Sequence, residues 1–274
     1  MIFDLHNDLP TAAPPRDRKR LLAEYAADGL TKAVFAIWTT RLPAGYSLRD
    51  YIVQNAPFGA FPAIEDLGRA DLGEAFAIRP VYASLTWNGE NSLAGGCGSE
   101  TPLKAEGRAA ISEMAARGIA LDVSHLSDSS MTEALDRAGE CGCRVLASHT
   151  ASRALCFHPR NLTDEIAGRI AAAGGIVGIA AVPDFLREGS RRGGKCGIRD
   201  HAAHILHMCE AAGTKHVAVG TDFFGTAVCP DGLSRYADFA RLADILAKEG
   251  LSAAETEDIF YYNAERFFGA RETI

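Results

Sequence analysis

Five places in the 274-residue chain put a metal-binding or proton-transferring side chain at the end of a short apolar run. Met1–Leu5 leads into His6-Asn7-Asp8, Phe61–Ile64 into Glu65, Ile119–Ser124 into His125, Cys143–Ser148 into His149, and His216–Gly220 into Thr221-Asp222. His6 and Asp8 are two apart, so on a continuing strand both side chains point the same way and can reach one ion. Neutral imidazole suits zinc, and His125 and His149 on neighbouring strands can hold a second ion, with Glu65 as the carboxylate that bridges to the first. Asp222 is then not needed as a ligand. A free carboxylate there can take the proton of a metal-activated water and pass it to a leaving amine, while two divalent ions polarise the carbonyl under attack.

Such a set works only if the five runs lie side by side with their ends at one edge. Short β-rich runs alternate with longer amphipathic stretches along the whole chain, the pattern of repeated βα units and a parallel sheet. The strand candidates are Met1–Leu5, Thr31–Trp38, Phe61–Ile64, Pro80–Leu85, Ile119–Ser124, Cys143–Ser148, Ile176–Val182 and His216–Gly220. Eight units in a chain near the usual barrel length of about 250 residues predict a single (β/α)8 barrel over residues 1–274, with its site at the carboxyl ends of the strands. A doubly wound open sheet is the alternative, because periodicity does not show closure. Helices are expected at Leu103–Arg117, Thr163–Ala173 and Arg199–Ala212, with Gly118, Gly174 and Gly213 as left-handed caps. Leu233–Lys248 and Ser252–Phe268 should complete the outer ring, the latter opened by a Ser252/Glu255 capping box. Between the third and fourth strands there is room only for a short helix, Asp66–Phe76.

Hydrophobic residues make up 47% of the chain and charged residues 23%, which is the composition of a globular core rather than of a disordered segment. A net charge of -7 argues against a nucleic-acid partner, which needs a surplus of Lys and Arg on one face. The N-terminus lacks the pattern of a signal peptide and there is no apolar run of about 18 residues, so no membrane partner and a cytoplasmic location are expected. Seven cysteines without a repeating spacing fit reduced thiols, and Cys141 and Cys143 form only a Cys-x-Cys pair to which no chemistry is assigned. His201, His204 and His207 recur every three residues on a helix of the outer ring and read as a packing or surface stripe. His216 begins the eighth strand, at the end away from the site.

The chain resembles the renal, or membrane, dipeptidase family of zinc peptidases within the amidohydrolase superfamily, over nearly its whole length. The resemblance is carried by Asp4-Leu5-His6-Asn7-Asp8-Leu9-Pro10, Ile64-Glu65, Leu85-Thr86-Trp87-Asn88, Leu121-Asp122-Val123-Ser124-His125, Ser148-His149-Thr150, His158-Pro159-Arg160-Asn161 and Gly220-Thr221-Asp222-Phe223. It implies that His6 and Asp8 hold one zinc, His125 and His149 the other, and that Glu65 bridges both. It also implies that Arg160 binds the free carboxylate of a dipeptide through its guanidinium fork and that Asp222 is the acid/base. The reaction implied is dipeptide hydrolysis by a bridging hydroxide, and a homodimer is the assembly expected by resemblance.

The chain also departs from the family. It is shorter than members usually are, and Asp66 and Leu67 replace glycines after the bridging glutamate, which puts Asp66 beside Glu65 as a second candidate bridge; alignment prefers Glu65. The histidine that polarises the scissile carbonyl in animal members is missing from Thr86 to Asn91, leaving Asn88 or Asn91 to donate a hydrogen bond instead. Phe224 stands where an aspartate is common, so that side of the pocket should be more apolar. The loop Arg187–Gly197, with Arg187, Arg191, Arg192 and Lys195, is expected at the mouth as a lid or an attractor of acidic substrate, or else as a solvated basic loop. Hydrolysis of another small amide or lactone, and a non-catalytic metal-binding barrel, are the competing functions. An Arg160 that points at the metals favours a substrate with a free carboxylate.

Overall fold

The computed structural model describes residues 1–42, 47–55, 61–190 and 195–269. Eight parallel strands follow one another around a closed ring: β1 (Ile2–Asn7), β2 (Leu30–Trp38), β3 (Phe61–Glu65), β4 (Tyr82–Ser84), β5 (Ala120–Asp122), β6 (Val145–Thr150), β7 (Ile176–Ile179) and β8 (Val217–Val219). Asp4 of β1 pairs with Val219 of β8 and closes the barrel, which excludes the open doubly wound sheet. Each strand lies where its apolar run is.

Around the ring run α1 (Leu9–Ala12), α2 (Pro15–Ala27), α3 (Leu48–Asn55), α4 (Leu72–Ile78), α5 (Ala105–Arg117), α6 (Asp128–Cys141), α7 (Asp164–Ala172), α8 (Pro183–Leu186), α9 (Ile198–Ala212), α10 (Phe239–Lys248), α11 (Ala253–Glu257) and α12 (Asn263–Phe268). Local chemistry sets many of their ends. The hydroxyls of Ser127 and Thr163 accept from Ser130 N and Ile166 N at the starts of α6 and α7, and Gly118 stops α5 in the left-handed region.

Several expected helices differ in detail. Gly213 has φ 87 and ψ 141, not the left-handed cap, because the chain passes straight into the 3-10 turn Thr214–His216 that feeds β8. The segment expected as Leu233–Lys248 is α-helical only from Phe239; before it, Tyr236 is drawn inward to donate its hydroxyl to Asp4 and accept from Asn7. The Ser252/Glu255 capping box forms, but a π-helical turn at Asp258–Tyr262 separates α11 from α12. The Asp66–Phe76 helix is instead a 3-10 turn, Leu67–Arg69, and the separate α4, since Asp71 begins a new cap on Glu74 N.

Inside the ring, Phe3, Leu5, Val34, Ala63, Val81, Leu146 and Ala218 pack against one another. Phe268 of α12 closes the floor, its ring centroid 5.6 Å from Phe3 and 6.4 Å from Phe61. This apolar plug leaves only the carboxyl ends of the strands for polar groups. A second apolar layer lies between strands and helices, where His201 and His204 are buried. His201 Nε2 donates to Ile179 O, while His204 accepts from Ser152 N and donates to Leu186 O, tying α9 to β7 and to the loops after β6 and α8. His216 bonds Gly175 O at the barrel's amino-terminal end. All seven cysteines are free. Among the described residues no helix is long and apolar enough to cross a membrane.

Candidate metal centre

Leu5 packs inside the barrel, and strict alternation along β1 would turn His6 outward. The register of β1 against β2 shifts between Asp4 and Asn7, an irregularity that brings His6 to the mouth. Asp4 braces the bend by accepting from His6 N, Thr221 N and the hydroxyls of Thr221 and Tyr236. Gly178 and Gly220 let β7 and β8 approach the carbonyl of Ser148, which a Cβ would meet at 2.1 and 1.8 Å. Five non-glycine residues among those described have positive φ, and four of them (Asp66, His125, Asp222 and Phe224) lie at the mouth, where strained backbone aims side chains.

There the scattered strand ends meet. His6 Nε2 lies 3.3 Å from Asp8 Oδ2 and 3.9 Å from Glu65 Oε1; the same Glu65 oxygen is 2.8 Å from His125 Nε2 and 3.7 Å from His149 Nε2. His6, Asp8 and Glu65 form one possible metal-holding group, Glu65, His125 and His149 another, and His6, His149 and Asp222 a third. Glu65 alone joins the first two. Asp66, turned by its φ of 66, instead accepts from Asn91 Nδ2 and the Thr40 hydroxyl, so it is Asp66 that leaves the centre.

The hydrogen bonds behind the imidazoles decide which nitrogen carries a proton. Tyr82 donates its hydroxyl to Leu5 O and so accepts from His6 Nδ1–H, at 2.9 Å. Ser148 donates to Asp122 Oδ2 and accepts from His149 Nδ1–H at 2.7 Å, while Asn88 Oδ1 accepts from His125 Nδ1–H at 2.8 Å. In all three rings the Nε2 lone pair is thereby aimed at the cluster, the arrangement found behind metal-ligating histidines. His125 Nε2 and His149 Nε2 stand 2.9 Å apart, and His6 Nε2 is buried without a hydrogen-bond partner. Facing lone pairs beside carboxylates call for a cation, so this donor set fits divalent metal.

Electrostatics agree. Burial, with Arg160 and His6 adding to it, pushes His125 and His149 well below the ordinary histidine range, which keeps them neutral. Burial opposes charge on His6 as well, but Asp8, Glu65 and Asp222 outweigh it and raise the ring to about 10. Burial and then Asp8 raise Glu65 to about 7, and the same two causes lift Asp222 well above the carboxylate range. Without a metal the carboxylates draw positive charge onto His6 and hold protons.

A pocket of about 260 Å³ opens over the cluster, lined among others by Asp8, Glu65, His125, His149, Arg160 and Asp222. Arg160, in the loop after β6, is buried with its guanidinium 5.2 Å from the Phe185 ring; it donates to His149 O and makes no ion pair with any described residue. It faces the cluster, not a surface carboxylate, and His158 Nδ1 accepts from its backbone N. Asn88 lines the pocket, but with Oδ1 committed to His125 only its Nδ2 is left to donate. Asn91 is excluded as a donor to substrate: its Nδ2 serves Asp66 and Leu85 O, and its Oδ1 accepts from Leu93 N and Ala94 N. Phe224 supplies the expected apolar wall, and Gly225 keeps a Cβ away from the Asp8 and Asp222 carboxylates, which it would meet at 2.5 and 2.0 Å. Of the basic loop, Arg187 pairs with Asp200 outside the pocket, while Arg191 and Arg192 lie outside the described residues.

Sequence reasoning did not single out Trp38, Arg41 and Trp87 as pocket residues, nor Tyr82 and Ser148 as the groups behind His6 and His149. Trp38 ends a strand and Trp87 follows one, the same positional signal that marks the candidate ligands, but an indole is not among the polar types that signal selects.

A model of the membrane dipeptidase family (peptidase family M19) matches residues 72–274. An uncharacterized dipeptidase of Schizosaccharomyces pombe is 32% identical over 76% of this chain and 51% of its own length, and an uncharacterized Klebsiella pneumoniae protein is 30% identical over 73% and 77%. The chain thus spans about half the length of the first of these. Among solved structures, a Rhodobacter sphaeroides metallopeptidase liganded with a phosphinate mimic of L-Ala-D-Ala superposes with a TM-score of 0.82 at 18% identity, covering 97% of this chain and 98% of that one. That likeness is one of fold.

Proposed function

The chain belongs to the membrane dipeptidase family, and on that premise we propose that it is a metal-dependent dipeptidase working with two zinc ions. The observation that carries the reading is the convergence of three Nε2 lone pairs and the Asp8 and Glu65 carboxylates beneath a buried guanidinium that has no acidic partner among the described residues. His6 and Asp8 would hold one ion, His125 and His149 the other, with Glu65 shared. Bound there, the ions supply Lewis acidity, polarising a peptide carbonyl and lowering the pKa of water.

The chain's own groups do the rest. Arg160 takes the substrate's terminal carboxylate in a low-dielectric pocket, where a bidentate fork is strongest, and so sets which peptide bond lies over the cluster. Asp222, its proton affinity raised by burial and Asp8, accepts a proton during attack and returns it to the departing amine. Asn88 Nδ2 can donate to the carbonyl oxygen where no histidine stands. Trp87 and Phe224 restrict water around the bond.

The test is amine release from L,L and L,D dipeptides by zinc-loaded protein, beside Asp222→Asn. Turnover should fall by about 10²–10⁴-fold in the variant with metal content retained. Zinc-loaded protein that cleaves no member of the panel would sink the dipeptidase reading.

A further inference from the structure

Trp38 is the last residue of β2, paired with Glu65 at the end of β3, and its ring lies against Trp87 with centroids 4.7 Å apart and planes tilted by 35°. The Arg41 guanidinium lies over the Trp38 ring, 4.8 Å from its centroid. All three side chains line the mouth pocket. Arg20, Arg108, Arg117, Arg169 and Arg235 each hold a carboxylate, whereas Arg41 forms no ion pair with a described residue. The indole holds it in place, and stacking leaves the guanidinium edge free to donate. The Trp38 Nε1–H is a buried donor with no acceptor among the described residues.

Arg160, in the loop after β6, likewise lies over an aromatic ring, Phe185, and makes no ion pair with a described residue, although it is buried and donates to His149 O where Arg41 is exposed. In an eight-stranded ring β2 and β6 lie across from each other, so Arg41 and Arg160, both lining the mouth pocket, come from opposite sides of the ring. A dipeptide bound between them has three charged places to satisfy. Its terminal carboxylate goes to Arg160, and its ammonium is drawn to Asp8, Glu65 and Asp222. What remains for Arg41 is the side chain of the N-terminal residue.

We propose that Trp38, Arg41 and Trp87 form an anion-binding subsite across the mouth from Arg160, and that the preferred substrates are dipeptides with an acidic side chain on their N-terminal residue. The assignment rests on the dipeptidase reading above. The indole faces pack the aliphatic part of that side chain and Arg41 binds its carboxylate.

The experiment compares kcat/KM for Ala-Ala, Glu-Ala, Ala-Glu and Lys-Ala on the zinc-loaded protein and on Arg41→Ala and Arg41→Glu. Ratios within each variant cancel any loss of folded or metal-loaded enzyme. Wild type should favour Glu-Ala over Ala-Ala by about tenfold, the worth of one charge-assisted contact. Arg41→Ala should erase that ratio and Arg41→Glu should turn it in favour of Lys-Ala, with the Ala-Glu to Ala-Ala ratio unmoved. The chain has two tryptophans, both in the stack, so their emission reports the subsite directly. In Asp222→Asn, Glu-Ala should perturb that emission at about tenfold lower concentration than Ala-Ala. Ala-Ala turnover with a flat Glu-Ala ratio, or a ratio that moves for Ala-Glu instead, overturns the subsite and leaves the dipeptidase standing. Failure to cleave any of the four peptides overturns both.

Discussion

Six of the eight histidines fall into two sets of three, and the two sets reverse what their spacing suggests. His201, His204 and His207 recur on one face of α9, yet each ring bonds a different neighbour: Ile179 O, Ser152 N with Leu186 O, and Asp164. His6, His125 and His149 come from three separate strands, yet their Nε2 atoms share one carboxylate oxygen. Helical spacing brings rings near one another without aiming them. Three strand ends, each with an acceptor behind its Nδ1, aim three lone pairs at one point.

The largest effect that would sharpen this contrast is deletion of a proposed metal ligand. His149→Ala should cut zinc content, measured by elemental analysis, and abolish dipeptide turnover. If the variant keeps two zinc ions per chain, the assignment of the second site is wrong.

A pH titration separates the two sets next. Burial lowers His201 to about 4, below its unfolded value near 6.5, so its contribution to stability is full above 6.5 and is lost as pH falls toward 4, when only the unfolded chain takes up the proton. The loss is up to about 3 kcal/mol, readable from denaturant melts of wild type against His201→Gln. At the metal centre the sign is set by competition instead: Glu65, raised to about 7, and His6, raised to about 10, must shed their protons for a cation to bind. Metal affinity should therefore rise with pH through 7 and on toward 10, and calorimetry in buffers of different ionisation enthalpy should show proton release on binding.

Tyr82→Phe probes the group behind a ligand without touching the ligand. Loss of the acceptor for His6 Nδ1–H should weaken metal binding by about 10–100-fold in a chelator competition, beyond a loss of about 1–3 kcal/mol of stability in the metal-free protein as Leu5 O loses its donor. Equal affinity would mean that the tautomer is not set there. The smallest effect belongs to the exposed end of the helical set: His207→Ala removes only a partly exposed pair with Asp164 and should cost less than about 1 kcal/mol, with zinc content unchanged.

Much of the site was legible because a parallel barrel sends every strand's carboxyl end to one mouth. Residue type plus position after an apolar run was enough to pick out His6, Asp8, Glu65, His125, His149 and Asp222, all of which come together. Between Glu65 and Asp66 only the family resemblance prefers Glu65; residue type and position do not separate them, since the difference turns on the left-handed backbone at Asp66 and on Asn91 as its partner. Asn91 was misjudged for the same reason: a side chain fully engaged in holding its own loop looks, in sequence, like one free to donate. The breaks at Tyr236 and at Asp258–Tyr262 were likewise hidden, because helical periodicity continues through them while tertiary contacts do not, and at Gly213 the helix end was legible but not its backbone conformation.

By itself the sequence determined the order of eight strands, the helices between them and the residue types at the mouth, all consequences of local periodicity and of chain length. Closure through Asp4 and Val219, the β1 irregularity that turns His6 inward, the tautomers set by Tyr82, Ser148 and Asn88, and the packing of Arg41 over Trp38 and of Trp38 against Trp87 were decided only in the folded molecule. Each depends on partners tens of residues away, and no local pattern records which of many polar groups a side chain will meet once the ring is closed.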